Sequence, residues 1–407
     1  MTAEPNAAVI LRLGAHGDGI AETASGLCHI PFALPGERVR AVAGGLPELL
    51  SAPSPQRRRP QCRHFGICGG CLAQHMSDEL YGAWKWGIVR EAFRRRGLEP
   101  EIAPLKRVCS GSRRRAVLTA RRKGGRIVLG YHRRQSPQLF ALEECPVLNE
   151  AIVAGLAGLR AIASALDQRE VRLTVLATAG GLDVAVADAG GPIGAKAAVA
   201  LASLASRHAI ARITRNGETV AERARPELLV GGVVVSPPPG LFVQAVAAAE
   251  SAMVKEVLAS VGDARWIADL FAGLGTFTLP LARRSRVLAV DGQARALAAL
   301  GEAARRASGL KPIKTQLRDL AREPLSAKEL AAFDAVVLDP PRAGAMAQAL
   351  EIGRSRVACV AYASCNPATL ARDARALVDA GFHLKRVVPI DQFLFSAHIE
   401  AVAVLGR

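Results

Sequence analysis

The sequence predicts a chain of three parts that ends in a doubly wound α/β domain, and three observations support this prediction. Apolar runs of strand length alternate with helical patterns from residue 241 onward. Turns rich in glycine, proline or acidic residues follow these runs, as in folds that bind ligands at the carboxyl ends of parallel strands. A glycine-punctuated β pattern and a region rich in cysteine and arginine precede this domain. We place the three parts at 1–55, 56–238 and 239–407.

The composition is strongly basic, with 53 Lys and Arg against 36 Asp and Glu, a net charge of +17. Half of the 407 residues are hydrophobic, which is enough for a sizeable core. An excess of positive charge suggests a polyanionic partner, although a generally cationic surface would also explain it. Because the arginines occur in clusters, we predict that the partner is a nucleic acid.

The sequence shows neither a signal peptide nor a membrane span. Met1 to Ala8 carries Glu4 and Pro5 without an apolar core, and no later apolar run reaches spanning length. We therefore expect a cytoplasmic monomer without a membrane partner. In a reducing compartment its eight cysteines are expected to be ligands or nucleophiles rather than disulfides.

The N-terminal region from Ala8 to Val42 alternates apolar and polar residues around five glycines, which predicts a small β-barrel. Two stretches, Leu13 to Ala21 and Pro31 to Glu37, resemble the TRAM module, an OB-like RNA-binding barrel. Pro47 to Pro60, which includes three consecutive arginines, is interpreted as a basic linker.

Three closely spaced cysteines follow this linker, at Cys62, Cys68 and Cys71, with glycines between the last two. Three thiols at this spacing can surround one metal centre. Cys145 is the expected fourth ligand, because it precedes a proline and follows a strand-like run, Leu139 to Leu142. Both a [4Fe–4S] cluster and a structural Zn²⁺ fit four thiolates, and the spacing alone does not separate them.

The region after the cysteines contains several arginine clusters, beginning at the end of a helical pattern from Tyr81 to Gly97. A single charge run is usually a solvated face, but repeated clusters suggest a surface that follows phosphates. Trp84 and Trp86 are interpreted as packing residues. The clusters are Arg94–Arg96, Arg113–Arg115, Arg121–Lys123 and Arg133–Arg134.

The predicted elements after this region can be assigned in order. Val171 to Val186 is a hairpin, Ala195 to Ser206 is a helix, and residues 236–240 form a hinge into the last domain. That domain contains strands at 266–271, 287–290, 312–317, 333–338, 357–363, 384–390 and 399–405, and helices at 277–283 and 367–380.

The first strand of the last domain leads into a glycine-containing loop, Asp269 to Thr276, and the second ends at Asp291. The glycines allow a ligand to approach the backbone, and a carboxylate at the second strand end can accept both ribose hydroxyls. NAD and S-adenosylmethionine both fit this pattern. Thr278 occupies the position of the third glycine of the dinucleotide fingerprint, which favours S-adenosylmethionine.

Cys365 lies in the stretch Tyr362 to Thr369, at a predicted strand-to-helix turn. Pro367 suits the first turn of the helix, whose N-terminal dipole should favour a thiolate. Taken alone, a cysteine here is more often a small buried hydrophobic residue than a nucleophile.

Four motifs of the last domain resemble the RNA uracil-C5 methyltransferases, which make 5-methyluridine. They are Asp269 to Thr276, Asp339 to Gly344, Ser364 to Asp373 and His398 to Glu400. The four cysteines and the TRAM-like start resemble the bacterial 23S rRNA branch, whose members carry a [4Fe–4S] cluster. The resemblance implies a class I (Rossmann-like) S-adenosylmethionine methyltransferase domain behind a TRAM barrel and a central α+β iron–sulfur domain with an RNA-facing surface.

The resemblance also implies a mechanism and a set of site residues. Cys365 would attack C6 of a flipped uridine, and Glu400 would remove the C5 proton. His398 would either orient Glu400 or be structural. Arg342 would contact phosphate or form an ion pair. The implied cofactor residues are Gln244, Phe271, Thr276, Asp291, Asp319 and Asp339, with a helix N-cap as the alternative role of Asp319.

Three departures from the family pattern bear on these assignments: Ala245 replaces a frequent Asn, Asp291 a usual Glu, and Ala272 a frequent Cys. Other functions remain open at this stage. A cytosine-C5 enzyme would also use a cysteine, the RNA could be tRNA, and a non-catalytic RNA-binding assembly factor could keep the same scaffold. An amino-methyltransferase would instead be expected to carry an Asn-Pro-Pro-aromatic turn.

Overall fold

The computed structural model describes residues 7–23, 26–42 and 45–407, and it begins with a five-stranded antiparallel sheet, the N-terminal sheet. Alternation is clear in its first strand, where Ala8 and Ile10 are buried and Val9 and Leu11 are exposed. No pairing joins the third strand to the fifth among the described residues, so the predicted small β-barrel is present there as an open sheet. In chain order the strands are β1 (Ala7–Leu13), β2 (Gly19–Thr23), β3 (Gly26–Ile30), β4 (Arg38–Arg40) and β5 (Glu48–Leu49).

The segment interpreted as a basic linker is part of the folded structure, so that prediction is wrong. It contributes β5, and its Arg57 forms two hydrogen bonds, of 2.6 and 2.7 Å, to the buried carboxylate of Glu37. Arg58 pairs with Asp78 at 2.7 Å. These arginines neutralise acids of the protein itself and are therefore not free to bind phosphate.

Helix α1 (Asp78–Arg94) joins the N-terminal sheet to the last domain. The Ser77 hydroxyl caps the helix by accepting a hydrogen bond from the Leu80 N–H. Trp84 donates its indole N–H to the carbonyl of Gly14 at 2.8 Å, which confirms its packing role. Two short strands follow, β6 (Glu101–Ile102) and β7 (Lys106–Arg107), and both pair with the edge of the sheet of the last domain.

The central region forms a six-stranded sheet, the middle sheet, with helices packed on it. The predicted hairpin and helix are confirmed here, whereas Leu139–Leu142 is not a regular strand. Its elements are β8 (Arg115–Lys123), β9 (Arg126–Gly130), α2 (Glu150–Ala154), α3 (Leu156–Ala165), β10 (Glu170–Thr178), β11 (Gly181–Ala187), α4 (Ala195–Arg207), β12 (Ile210–Arg215) and β13 (Glu218–Glu222).

A small hairpin and a long helix lead into the last domain: β14 (Leu228–Val230), β15 (Val233–Val235) and α5 (Ala247–Val261). Gly231, at the tip of the hairpin, has a positive φ of 54°, and a Cβ there would lie 2.6 Å from Pro280. Only glycine therefore allows the hairpin to approach the sheet domain this closely.

The last domain contains the large sheet, with strand order β18-β17-β16-β19-β20-β22-β21-β6 and β7 beside β21. The five strands from β18 to β20 are parallel, and β22 is antiparallel to both of its neighbours. Its further elements are β16 (Trp266–Leu270), α6 (Thr278–Leu281), β17 (Arg286–Asp291), α7 (Ala294–Arg306), β18 (Ile313–Leu317), α8 (Ala327–Leu330), β19 (Ala335–Leu338), α9 (Met346–Arg354), β20 (Cys359–Ser364), α10 (Pro367–Asp379), β21 (His383–Asp391) and β22 (Glu400–Gly406).

Helices cover both faces of the large sheet, as the doubly wound prediction requires. Helices α1, α8, α9 and α10 pack on one face, and α5 packs on the other. The inner strands β16, β19, β20 and β22 are therefore largely buried on both sides, which explains their mostly apolar sequences, whereas the edge strand β18 is partly exposed. The predicted strands appear with small shifts at their ends, and the predicted helix at 277–283 shortens to α6. No described helix is both long enough and apolar enough to span a bilayer.

Candidate active site

Two concave regions meet at the carboxyl ends of the parallel strands. The inner cavity, of about 660 Å³, lies within the last domain and reaches Arg114 and the β14–β15 hairpin. The outer cleft, of about 1050 Å³, lies between the N-terminal sheet, α1 and the start of α10. Arg342, Cys365 and His398 line both. A reaction at Cys365 can therefore use one reactant bound in the inner cavity and another bound in the outer cleft.

The Cys365 turn has the strand-to-helix geometry that the sequence predicts. Asn366 is the N-cap of α10, with its side-chain oxygen accepting from the Ala368 N–H at 3.1 Å, and Pro367 is the first helical residue. The Asn366 amide and the Thr369 hydroxyl both donate to the carbonyl of Arg342, at 3.0 and 3.2 Å. The nucleophile turn is thus held against the loop that follows β19.

Burial, followed by the negative charges of Glu400 and Asp339, raises the pKa of the Cys365 thiol to about 11. Arg342 and a backbone N–H act in the opposite direction but do not outweigh these effects. The expected thiolate at the helix N-terminus is therefore wrong for the protein without ligands. The result also shows that Cys365 and Glu400 lie close enough to interact electrostatically.

Glu400 opens β22 and is almost fully buried in the inner cavity wall. Burial and the nearby Asp339 raise its pKa to about 8, although a hydrogen bond from Gln392 lowers it. The described residues place no arginine or lysine within ion-pairing distance of this carboxyl group. An unpaired, buried carboxyl group of this kind can exchange a proton near neutral pH.

Asp339 and Gln244 form a second polar pair in the same cavity. The Gln244 side-chain amide donates to Asp339 at 3.0 Å, and burial raises the pKa of Asp339 to about 7. Arg114 supports the Gln244 backbone by donating to its carbonyl at 3.0 Å, and it pairs with Glu250 at 2.8 Å. Arg114 is therefore structural, which corrects its assignment to a phosphate-binding cluster.

Asp291 organises the glycine loop. One of its oxygens accepts from the Gly273 N–H at 2.8 Å and the other from the Gln293 N–H at 2.7 Å. Each oxygen keeps a further acceptor site, so ribose hydroxyls can still bind. Phe271 and Gly273 have positive φ values of 62° and 54°, which turn the chain sharply after β16.

Asp269 and Thr278 show why the third glycine of the dinucleotide pattern is missing. The Thr278 hydroxyl donates to Asp269 at 2.5 Å, and both side chains are fully buried. Burial raises the pKa of Asp269 to about 7, and its other oxygen, Oδ1, has no hydrogen-bond partner within the described structure. The pair holds the start of the loop against α6.

Asp319 lines the inner cavity, and its alternative role as a helix N-cap is not observed, because the residues directly after it form a turn and not a helix. Its carboxylate accepts from the Ala321 N–H at 3.1 Å, which caps the turn after β18. The residue lies at the wall of the inner cavity, as do all the other predicted cofactor residues. The structure thus brings together Gln244, Phe271, Thr276, Asp291, Asp319, Asp339, Cys365 and Glu400 around one cavity.

Arg342 and His398 face each other across the boundary of the two concave regions, with 3.4 Å between the guanidinium and the His398 Nδ1 atom. Arg342 is exposed and forms no ion pair with a described carboxylate, so the ion-pair alternative is not observed. Burial and the charge of Arg342 lower the pKa of His398. The histidine therefore contacts the arginine rather than Glu400.

Sequence reasoning missed Gln392, which follows Asp391 at the end of β21. Its side-chain amide reaches both Gln244 and Glu400. The residue belongs to no motif that predicted a function. Its position just beyond a strand end was the one available signal, because such positions collect at the functional edge of the sheet.

The four predicted ligand cysteines approach one another from two segments. Cys62, Cys68 and Cys71 lie close enough to Cys145 for its thiolate form to raise their pKa values, in addition to the larger effect of burial. The Gly70 N–H donates to the Cys68 sulfur at 3.3 Å. Within the described residues, no group of three or more His, Cys, Asp or Glu side chains is arranged to hold a metal ion. The donor chemistry, four thiols with an amide donor to one sulfur, fits a thiolate-bound centre.

The arginine clusters divide into paired and unpaired members. Arg94 and Arg95 bond to Glu91, and Arg121 pairs with Glu170. Arg96 is exposed at the outer cleft and has no carboxylate partner among the described residues. The predicted phosphate-following surface is therefore smaller than the four clusters suggested.

Comparisons with known proteins agree on one family. The sequence profile described as tRNA (Uracil-5-)-methyltransferase matches residues 310–407. The chain is 49% identical to a protein of Rhizobium meliloti named as an uncharacterized RNA methyltransferase, over 97% of this chain and 98% of the other. It is 34% identical to the 23S rRNA (uracil(1939)-C(5))-methyltransferase RlmD of Alkalilimnicola ehrlichii, over 99% and 97% of the two chains.

A solved structure shows the same fold over the whole chain. The tRNA (uracil-54, C5)-methyltransferase of Pyrococcus abyssi, in complex with S-adenosyl-L-homocysteine, matches with a TM-score of 0.77. The match covers 99% of this chain and 100% of the other at 21% sequence identity. At this identity the likeness establishes the shared fold.

Proposed function

The chain belongs to the RNA (uracil-C5) methyltransferase family, and from this premise we propose that it methylates C5 of a flipped uridine in 23S rRNA. The observation that carries the proposal is the meeting of two concave regions at Cys365, with Glu400 beside it. The inner cavity would hold S-adenosylmethionine, and the outer cleft would admit the RNA.

The inner cavity suits S-adenosylmethionine in size and chemistry. Its volume of about 660 Å³ falls within the range of small-molecule pockets. Apolar walls from Leu228, Val230 and Leu320 offer an adenine slot, whereas Asp291 has acceptor capacity for ribose hydroxyls. Asp339 lines the wall nearer Cys365 and Glu400, whose pKa values it affects. When bound, the cofactor supplies the methyl group and a positive sulfonium charge that favours ionised carboxylates and thiolate nearby.

Cys365 would begin the reaction after its thiol proton passes to water in the outer cleft, which Cys365 lines. The sulfur forms a bond to uracil C6, and the electrons of the C5–C6 double bond move toward the C4 carbonyl oxygen as an enolate. Carbon C5, which is otherwise a weak nucleophile, thereby gains carbanion character. It takes the methyl group, so that one carbon–carbon bond forms as one sulfur–carbon bond breaks.

Glu400 would complete the reaction as the general base. Its carboxylate removes the proton from C5, the C5–C6 double bond forms again, and the bond between C6 and Cys365 breaks to release the enzyme. Its position among buried groups without an ion-pairing cation supports this role, because such a carboxylate stays basic near neutral pH.

The proposed RNA is 23S rRNA, bound by a cytoplasmic monomer. The full-length similarity to an RlmD protein and the cysteine set support this choice, whereas the family profile and the archaeal fold relative are named for tRNA. Residues 1–55 would act as a TRAM-like RNA-binding module, 56–238 as the iron–sulfur domain and 239–407 as the methyltransferase domain. A flipped uridine is required because C5 and C6 must both reach groups inside the cavity.

Cys62, Cys68, Cys71 and Cys145 would hold a [4Fe–4S] cluster. Cys145 packs against two groups of apolar side chains. One is the core of the middle sheet, and the other includes Tyr81 and Trp84 of α1. A cluster here would join these two layers, so we propose a structural role in positioning the RNA. Anaerobic purification should yield iron, sulfide and visible absorbance; a zinc-loaded, colourless protein would contradict the assignment.

The central experiment is a covalent trap with RNA that contains 5-fluorouridine. Fluorine at C5 prevents the removal of a proton there, so the wild-type protein should form a stable adduct through Cys365 in the presence of S-adenosylmethionine. Cys365→Ala should form none, and Cys109→Ala, at an exposed cysteine outside both concave regions, is the matched control. Turnover on uridine RNA without any adduct would overturn the mechanism.

The RNA class needs a separate measurement. Mapping 5-methyluridine in 23S rRNA and tRNA from cells with and without the protein should show one missing position in 23S rRNA. Loss of a tRNA position instead would reassign the substrate while leaving the chemistry intact.

A further inference from the structure

A buried chain of side-chain hydrogen bonds links Glu400 to the far wall of the inner cavity through Gln392. The Gln392 amide nitrogen donates to Glu400 Oε1 at 3.1 Å and to Gln244 Oε1 at 2.9 Å. Gln244 in turn donates to Asp339 at 3.0 Å. Gln392 has an exposed fraction of only 1%, so water does not compete for these bonds.

The orientation of the Gln392 amide is determined by a backbone group. Its oxygen accepts the N–H of Val246 at 3.1 Å, and a backbone N–H can only donate. The NH₂ group must therefore point to the two acceptors on Gln244 and Glu400. A flipped amide would place donors against the Val246 N–H and an oxygen against the Glu400 carboxylate.

We propose that Gln392 is a positioning residue that holds one oxygen of Glu400 and leaves the other free to take the C5 proton. Among the described residues no side chain donates to Glu400 Oε2, and Glu400 lines the cavity. Through Gln244 the same amide joins Glu400 to Asp339, so the base and the cofactor wall form one rigid unit. This inference rests on the proposed role of Glu400.

An amide suits this task better than a charged side chain. An arginine or lysine would hold Glu400 as a carboxylate of low basicity, much as the hydrogen bonds from Arg215 help to lower the pKa of Asp188 elsewhere in this chain. Gln392 stabilises the carboxylate form only moderately, which leaves it able to accept a proton. The hydrogen bond from Gln392 indeed lowers the pKa of Glu400 from the value that burial and Asp339 alone would produce.

Other charged groups near Glu400 come from several elements and stay in place when Gln392 is changed. Asp339 follows β19 and Cys365 follows β20, and both interact electrostatically with Glu400. Arg342 and His398 line the cavity, and Lys85 approaches His398 from α1. Since these groups are constant, a shift in pH dependence in a Gln392 variant reports the lost amide.

The test compares Gln392→Met with wild type and with Gln348→Met. Gln348 is an equally buried glutamine that bonds to the Leu325 backbone, away from both concave regions, so its variant controls for the loss of a buried amide. We expect Gln392→Met to lower steady-state turnover about 10- to 100-fold, the loss expected for one hydrogen bond to a charged group. Gln348→Met should keep turnover per folded molecule.

Two further measurements report on product release, the step in which Glu400 removes the C5 proton: the amount of covalent adduct and the pH dependence of release. In single turnovers with uridine RNA, Gln392→Met should accumulate a methylated covalent adduct, because release slows while Cys365 attack does not. The pH at half-maximal release should rise, since removal of a donor to the carboxylate raises the pKa of Glu400. Gln392→Glu, which places a second carboxyl group beside Glu400, should raise this pH further, because two neighbouring carboxylates disfavour each other's ionisation.

Two outcomes would overturn the proposal. The first is a Gln392→Met protein that keeps wild-type turnover and wild-type pH dependence. The second is a Gln392→Met protein in which the rates of adduct formation and product release fall equally and the pH dependence of release does not change. That second result would indicate a merely structural role. Failure of the proposed function itself looks different, because wild type would then form no adduct with 5-fluorouridine RNA. Thermal unfolding of both methionine variants, compared at one pH, identifies any folding defect.

Discussion

In the middle sheet, buried carboxylates lie against arginines, whereas Asp339, Glu400 and Asp269 in the last domain lie against amides or a hydroxyl. Arg212 holds Asp183 with two bonds of 2.9 and 2.8 Å, and Arg215 holds Asp188 at 2.7 and 2.8 Å. Burial by itself raises the pKa of Asp188, but the bonds from Arg215 and a backbone N–H lower it overall.

These three carboxyl groups of the last domain have neutral donors as neighbours, whereas Glu250, which also lines the inner cavity, pairs with Arg114 at 2.8 Å. Asp339 meets Gln244, Glu400 meets Gln392 and Asp269 meets Thr278. Without a paired cation, burial raises their pKa values to about 7, 8 and 7. The contrast teaches that arginine bonds can outweigh burial and lower the pKa of a carboxyl group, as at Asp188, whereas a neutral donor leaves Glu400 able to exchange a proton near neutral pH.

The largest expected effect is the loss of turnover in the Glu400→Gln variant. The variant keeps the shape but cannot accept the C5 proton, so turnover should fall about 10²- to 10⁴-fold. Cys365 should still attack, and a methylated adduct should accumulate on uridine RNA, visible by gel shift under denaturing conditions. Glu329→Gln, in the remote capping box of α8, is the control. A normal rate of product release in Glu400→Gln would remove Glu400 from the mechanism.

Breaking a permanent pair should affect stability instead of chemistry. Arg212→Met leaves Asp183 buried and uncompensated, so the free energy of unfolding should fall by about 3–5 kcal/mol. Arg121→Met, at the more exposed pair with Glu170, should cost no more than about 1 kcal/mol. Urea unfolding measures both. If the two variants lose similar stability, burial does not separate the two kinds of pair.

The buried carboxyl groups without a paired cation should lower the free energy of unfolding as the pH rises. The carboxyl group of Asp339 is ionised above about pH 4 in the unfolded chain but stays protonated in the folded chain up to about pH 7. The folded state therefore binds more protons in this window, and stability falls between these values. Asp339→Asn should remove the contribution of Asp339 to this dependence, while Asp269 and Glu400 keep theirs, and should stabilise the ligand-free protein at pH 8 by on the order of 1–3 kcal/mol.

Thermal unfolding from pH 4 to pH 8 is the measurement for this prediction, with Asp334→Asn as the control. Asp334 accepts two backbone N–H groups at an exposed position, so its variant should not flatten the pH profile. A wild-type profile that rises steadily over this range would contradict the raised pKa of Asp339.

The smallest expected effect concerns an unpaired arginine at the outer cleft. Arg96→Gln should weaken RNA binding about two- to fivefold and reduce the slope of log affinity against log salt by about one, as for one lost phosphate contact. Arg354→Gln removes an exposed arginine that pairs with Glu351 outside the cleft. This control should change neither the RNA affinity nor its salt dependence. Equal losses in both variants would indicate non-specific attraction by net charge.

The sequence alone determined the architecture of the last domain and much of its site. Apolar runs buried on both faces of a parallel sheet are recognisable without tertiary information, and Asp291, Asp339 and Cys365 follow such runs directly. The Cys365 turn was predictable for the same local reason, because Asn366 and Pro367 are a cap and a first helical residue.

Only the tertiary structure decided which charged residues are free and which are paired. In sequence Arg57 looks like part of a basic linker and Arg114 like a member of a phosphate-binding cluster, yet they neutralise Glu37 and Glu250. Gln392 belongs to no motif and is marked only by its position just beyond a strand end, so its role appears only when Val246 and Glu400 come within hydrogen-bonding distance. The physical reason is that strand and helix patterns are local, whereas burial and charge compensation depend on contacts between residues far apart in sequence.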